Sequence, residues 1–401
     1  MRILHAIAQE PGYTGSGMYV NSLISNFENV VKKQALIAGI NKNQVHHYPD
    51  CKELSIYPVE FNTDNVKFNV FGMSDIMPYP SEMYSNLTGE KEKVWNKVFD
   101  EKIDSVLVEF NPDIVLVHHL WLLCTKFTDR NLKVYGFCHG TDLRQIEKIS
   151  KWNKKISESI QKLRGIFVPN EKIKQILITK YNVKEEKLMI CPAGYNNSLF
   201  SMQKSNKNNR KRIVYAGKWS YSKGFPYVIE TYNRLKRDMP EIELHFYGSG
   251  FGKSYNEFIE MCELSKDVYI HGQVNQKKLS REFNKGNLFL MPSQYETQGL
   301  VIIEALACGM PVVVSDLEWV RSSLKNIADS KFISWVKAPG HIGEKKYIIC
   351  DKFVDELVKN CKVFLKYNQK NSIFKEYGKI ETYSWENIAK KILDIIKKDL
   401  N

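Results

Sequence analysis

The sequence predicts an α/β protein built from two doubly wound domains in tandem. Three observations carry this. Short apolar, β-branched runs alternate with segments of helical spacing, the signature of parallel sheets with crossover helices. The alternation halts once, in a polar and positively charged stretch, and then restarts. The chain has 401 residues, too many for one core of ordinary domain size.

The first half supplies its elements in order. MRILHAIA, from Met1, reads as a strand, and GMYVNSLISNFENV, from Gly17, as a helix. QALIAGI, from Gln34, is a strand again. Residues 60–90 break the pattern with prolines among aromatics, and read either as a functional loop or as an irregular packing arm. PDIVLVHHLWLL, from the Pro112-Asp113 turn, and NLKVYGFCHG, from Asn131, are apolar strand-like runs. GIFVPN and KLMICPAGY read as shorter strands flanking the helix KIKQILITKYN.

QKSNKNNRKR, Gln203 to Arg212, is wholly polar and carries five positive charges. It reads as a linker, so the expected division is 1–202, linker 203–212, 213–381, and a terminal helix 382–401 returning to the first domain. After the linker come strand RIVYAG, helix PYVIETYNRLKRD, and strands IELHFYGSG, VYIHGQV and NLFLMPS. The helix GLVIIEALACG and the strand PVVVSD follow.

Composition narrows the class. Hydrophobic residues at 43% and charged residues at 26% fit a soluble globular protein. No apolar run reaches the ~18 residues of a membrane span, and the N-terminus does not read as a signal peptide, so a cytoplasmic location is expected. The eight cysteines lack a Cys-x-x-Cys pair and read as buried thiols. His46-His47 and His118-His119 are adjacent pairs, a poor match to metal-ligand spacing, so no metal is expected. A net charge of +13 reads first as solvated lysine surface and second as attraction to an anionic ligand or membrane face. Nucleic acid is not expected, since no nucleic-acid-binding motif occurs.

Four local constellations carry chemistry. In PSQYETQGLVIIEALACGMPVVVSD a strand ends at Pro292, a loop holds Glu296, and a helix opens near Gly299-Leu300. A helix start offers unpaired amides and partial positive charge suited to phosphate. A glycine there lets a ligand approach the backbone. Glu304, one turn on, can accept bonds from paired hydroxyls such as those of a ribose; Glu296 can do so for a sugar. The alternative for both is a surface or capping carboxylate. In AGKWSYSKG, Lys218 and Lys223 follow a strand end, where two cations suit a diphosphate. GYTGSG, Gly12 to Gly17, is a glycine-containing turn after the first strand, which by itself is usually a tight connection. FCHGTDLRQ places His139 at a strand end beside Asp142 and Arg144.

Taken together, these pieces resemble retaining glycosyltransferase family 4, of the GT-B fold. The likeness covers almost the whole chain, from Gly15-Ser16-Gly17 through PDIVLVHH, HGTD and CPAGYNNSLF to GKWSYSKG, HGQV, the Glu-x7-Glu pair and YSWENIAKKIL. It implies two Rossmann-like domains facing a cleft, and a nucleotide diphosphate sugar, UDP-sugar favoured, as co-substrate with no further cofactor. In that likeness Glu304 binds the ribose and Glu296 a donor-sugar hydroxyl. The amides of Gly299 and Leu300, with Lys218 and Lys223, lie at the diphosphate, Gln298 within the donor site, Val274 at the base, and His139 beside the sugar and its leaving phosphate. The Gly15–Gly17 loop closes over the diphosphate. On the acceptor side, whether small molecule, glycan or lipid-linked, the N-terminal elements expected to face the cleft are Gly72 to Tyr84, His118 to Trp121 and His139 to Arg144, with Arg144, His119 and Trp121 as candidate contacts. The alternative is that Tyr79, Tyr84 and Trp121 simply pack the domain.

The departures are Lys218 where the family often has Arg, Asn196 where it often has Asp, and Thr297-Gln298 where it often has Pro-Phe. Charge survives at Lys218, but bidentate phosphate binding does not. Three rivals stand beside this reading: a UDP-sugar 2-epimerase of the same fold, a nicotinamide-dependent oxidoreductase, and a nucleotide-sugar-binding protein without catalysis.

Overall fold

The computed structural model describes residues 1–74, 77–203, 210–250, 253–296, 298–339, 349–366 and 377–400. The chain packs as two compact units, Met1–Pro192 with Ala389–Asn401, and Ala193–Ile388. Both are α/β with a parallel sheet, as the alternation predicts.

In unit 1 the strands are β1 (Arg2–Ile7), β2 (Lys33–Asn41), β3 (Leu54–Phe61), the short pair β4 (Phe71–Gly72) and β5 (Glu82–Met83), then β6 (Ile114–His118), β7 (Val134–Phe137), β8 (Gly165–Val168) and β9 (Leu188–Ile190). Seven of them form one sheet in the order β3-β2-β1-β6-β7-β8-β9, every pairing parallel. Burial on both faces explains why β1 and β6 read as continuous apolar runs. The run from Pro112 to Leu123 is not one strand. β6 stops at His118, because His119 adopts the left-handed conformation (φ 74), and a helix follows at Leu122–Thr128. Gly15-Ser16-Gly17 is likewise not a loop. It is the first turn of the helix Gly15–Phe27, whose N-cap Thr14 accepts a hydrogen bond from the Gly17 amide at 3.1 Å.

The segment 60–90 is a packing arm. Val66, Phe68, Val70, Phe71, Tyr79, Tyr84 and Leu87 are all buried; residues 75 and 76 lie outside the described residues.

Unit 2 contains β10 (Lys211–Ala216), β11 (Ile242–Tyr247), β12 (Val268–Ile270), β13 (Leu288–Met291), β14 (Val312–Ser315) and β15 (Ile333–Val336), in the parallel order β12-β11-β10-β13-β14-β15. Side chains alternate between two cores. Ile213, Tyr215, Leu288, Leu290 and Val313 enter one; Val214, Ala216, Phe289, Met291, Val312 and Val314 enter the other.

The unit boundary differs from the expected 202. Phe200 is buried in unit 2's core, and the Leu199 and Ser201 carbonyls accept from Ser280 and Asn284. Residues 204–209 of the expected linker lie outside the described residues, and its last two residues, Lys211 and Arg212, already belong to β10. At the other end the division falls inside the helix Trp385–Leu400, from which Asp399 pairs with Arg164 of unit 1 at 2.7 Å.

Each sheet changes its direction of winding once, between β1 and β6 and between β10 and β13. Ligands of doubly wound folds bind outside the carboxyl ends of strands at that point.

Candidate active site

In unit 2 the loops leaving β10 and β13 are locked together at the switch point. Gly224 has φ 71, and a Cβ there would stand 2.0 Å from the Pro292 carbonyl oxygen. The amides of Gln294 and Tyr295 donate to the Ser222 carbonyl. This lock brings Lys223 onto Glu296, Nζ to Oε2 at 2.7 Å, with a second bond from Nζ to the Tyr295 carbonyl at 3.1 Å. The ion pair joins two residues that the sequence places more than seventy positions apart. Lys218 is exposed just beyond β10, its backbone carbonyl held by the Tyr215 hydroxyl at 2.8 Å.

The helix Leu300–Ala307 starts from Gly299, whose φ of 68 requires glycine. A Cβ there would also meet Ile302 and Val320 at 2.9 Å. Backbone conformation and internal packing therefore account for this glycine, rather than ligand approach alone. Glu304 sits on that helix among buried Ile303 and Ala305, and burial pushes its carboxyl up to about 8. Gln298 is engaged inside the unit, its side-chain oxygen accepting from the Ala193 amide at 2.6 Å. Thr297 lies outside the described residues. Val274 packs partly against the core, two residues after Gly272, whose carbonyl accepts from the Gly248 amide at 2.8 Å.

Two features of unit 2 are not singled out in the sequence. Ser293 and Ser315, at the ends of β13 and β14, have buried hydroxyls with no hydrogen-bond partner among the described residues. Glu243, His245 and His271 form a chain, with His245 bonded to Glu243 at 3.2 Å and to His271 at 2.9 Å. Pairing across strands hides such chains from a linear reading.

In unit 1, Gln9 donates to Thr14 and Ser16 at 2.7 and 3.0 Å and fixes the helix start that carries Gly15. Asp142 organises the turn after β7. Fully buried, it accepts from the amides of Leu120, Leu143 and His139 and from the Cys138 thiol. His139 is half-buried, bonded through Nε2 to His118 Nδ1 at 3.2 Å, and desolvation lowers it to about 3, so its ring is neutral near pH 7. Arg144 is exposed on the helix Thr141–Lys148.

Two expected acceptor contacts need correction. Trp121 is 2% exposed and packs edge-on against Tyr84 and Trp152; His119 is 3% exposed beneath His139. Both are interior residues of unit 1. They follow a strand whose apolar run continues through them, which is why they read as strand-end residues.

Comparison with known proteins bears on the family and the fold. The profile of glycosyl transferases group 1 matches residues 198–380, and that of glycosyltransferase family 4 matches residues 80–199. Together they cover about three quarters of the chain and name both halves as parts of one kind of enzyme. The chain belongs to the family 4-like glycosyltransferases of the GT-B fold.

An uncharacterised glycosyltransferase of Methanocaldococcus jannaschii is 24% identical over 330 residues, 76% of this chain and 80% of that protein. Matches to further relatives span about half of those proteins' length. Sucrose-phosphate synthase from Thermosynechococcus elongatus superposes with TM-score 0.69 at 15% identity, covering 100% of this chain and 99% of that one. Anabaena HepE, solved in complex with UDP and glucose, superposes with TM-score 0.67 at 13% identity over 99% and 100%. At such identities the two structures bear on the fold alone. No helix among the described residues of this glycosyltransferase is long and apolar enough to cross a membrane.

Proposed function

We propose that this glycosyltransferase moves a sugar from a UDP-sugar to an acceptor hydroxyl with retention of anomeric configuration and without a metal ion. The observation that carries the reading is the Lys223–Glu296 pair, held at the switch point of unit 2 beside the helix that bears Glu304. A cation and a carboxylate joined in the free protein can separate onto the two parts of a nucleotide sugar. Lys223 turns to the diphosphate, and Glu296 accepts from a hydroxyl of the sugar. Glu304 takes the ribose hydroxyls, and backbone near Val274 meets the base. HepE, of the same fold, is described with UDP bound, which makes uridine the first base to try.

The chemistry follows from where charge develops. As the sugar–phosphate bond breaks, negative charge grows on the diphosphate and positive charge on the sugar. Lys218, Lys223 and the amides at Gly299 and Leu300 stabilise the first as preorganised donors. In unit 1 the helix-start amides of Gly15 and Ser16 suit phosphate oxygens, the Gly17 amide being held by Thr14, and His139 supplies a neutral hydrogen-bond donor. Arg144 serves an anionic group on the acceptor. A peripheral anionic-membrane association follows from the charge of +13 where that acceptor is lipid-linked.

The test is a panel of nucleotide sugars scored by thermal shift and by release of nucleoside diphosphate. A UDP-sugar at ~100 times its dissociation constant stabilises by roughly 2.7 kcal/mol. Turnover persisting in EDTA is the expected result. Loss of turnover restored by a divalent ion would reject the metal-free reading, and free epimerised sugar would point to the epimerase.

A further inference from the structure

His118 is an enclosed ring in the candidate site of unit 1. It is 1% exposed at the end of β6, stacked on Phe137 at 4.6 Å and 7°, with the rings of His5 and Tyr19 at 6.4 and 6.0 Å. Its Nδ1 lies 3.2 Å from His139 Nε2, and its own Nε2 is buried with no hydrogen-bond partner among the described residues. Desolvation keeps both imidazoles neutral. A neutral imidazole carries one N–H and one lone pair, so one ring donates and the other accepts.

The two arrangements differ in what they strand. If His139 donated through Nε2, His118 would carry its hydrogen on Nε2 and bury an N–H with no acceptor. If His118 donates through Nδ1, only a lone pair is left bare. Unpaired buried N–H groups are the rarer and costlier case. His5 beside it solves the same problem in the same way. The Gln34 amide nitrogen is committed to the Ile24 carbonyl at 2.9 Å, so the Gln34 oxygen accepts from His5 Nε2–H and the bare atom is the His5 Nδ1 lone pair.

We propose that His118 is a positioning residue that fixes His139 as the Nδ1–H tautomer, so that the half-exposed ring offers a hydrogen-bond donor to a sugar hydroxyl or phosphate oxygen. The direction of that donor toward substrate rests on the proposed transferase reading; the tautomer does not. The arrangement holds His139 ready to donate without a change in protonation. Asp142 fixes the His139 backbone through its amide, and His118 fixes the ring.

Nitrogen-15 NMR of histidine-labelled full-length protein reads the tautomer directly. The parent protein should show His139 as Nδ1–H. His118→Phe keeps the stack on Phe137 but removes the donor, and should shift His139 toward Nε2–H. His118→Asn places an amide N–H where Nδ1 stood and should restore Nδ1–H. Donor hydrolysis should follow, with kcat down about tenfold in His118→Phe, KM changed less than about twofold, and kcat largely recovered in His118→Asn. An Nε2–H tautomer in the parent overturns the proposal without any variant. So does a folded His118→Phe protein that keeps Nδ1–H. If the parent turns over no nucleotide sugar yet His139 is Nδ1–H, the tautomer assignment stands and the transferase reading falls.

Discussion

If Glu304 holds the ribose as proposed, its site costs the protein stability at high pH. Burial raises its carboxyl to about 8, so the neutral acid dominates at pH 7. Ribose hydroxyls bind best to the carboxylate, so nucleotide binding should release a proton, and affinity should rise with pH up to about 8 and then level. Calorimetry in buffers of different ionisation enthalpy measures that release; none at pH 7 would contradict the assignment. The stability sign is opposite. A folded-state value above the unfolded one favours folding fully at pH below the unfolded value. That contribution disappears as pH rises through about 8. Glu304→Gln should therefore raise the melting temperature at pH 9 while weakening UDP binding by roughly 1.5–3 kcal/mol. Arg144 is the other residue to test. Arg144→Ala should raise the acceptor KM while slow donor hydrolysis continues, and a parallel fall in hydrolysis would move Arg144 to the donor side or to the fold. The positions of Glu296, Lys218 and His139 were legible from the sequence because each lies shortly after an apolar strand run, and that of Glu304 because it interrupts an apolar helix. The His118–His139 and His245–His271 bonds were not, because only the parallel pairing of neighbouring strands brings their partners together.

At the scale of elements, apolar runs marked the strands well where both faces are buried, as in β10, β13 and β14. They marked ends poorly. The run through Leu123 continues past His118 into a helix, because a buried helix and a buried strand look alike over a few residues. The helix Gly89–Phe110 is not singled out by that reading, although Trp95, Phe99, Ile103, Val106 and Phe110 recur three and four apart and are all buried. Two glycines separate fold from function at this scale. Gly224→Ala forces a side chain into left-handed backbone and onto the Pro292 carbonyl, which should break the loop lock under Lys223 and Glu296. We expect a loss of about 1–3 kcal/mol in stability, with donor binding lost alongside it. Gly15→Ala meets nothing within 4 Å and sits in a helix's first turn, so stability should hold or rise slightly. A fall in turnover there, with melting temperature unchanged, would mark close approach of the donor to this helix start; unchanged turnover would remove Gly15 from the donor site.

At the scale of the whole molecule, the chain's last residues belong to the unit that its first residues build. Ala389, Ile392, Leu393 and Ile396 are buried, Lys391 donates to the Ile190 carbonyl at 2.7 Å, and Asp399 pairs with Arg164. The Asp399–Arg164 pair is more than a third exposed on both sides and contributes little by itself. Burial of the helix's apolar face contributes more. Truncation after Ile388 should therefore loosen unit 1, while unit 2 keeps both faces of its six-stranded sheet covered. Hydrogen exchange read by mass spectrometry separates the two, with peptides from β6 to β9 losing protection and peptides from β10, β13 and β14 retaining it. If unit 2 holds the nucleotide through Glu304, Lys218 and Lys223, the truncated protein should bind UDP within a few-fold of the parent yet turn over no donor. UDP binding lost together with the protection of unit 1, while unit 2 stays protected, would mean that the nucleotide needs both units, and the assignment of the donor site to unit 2 alone would fail.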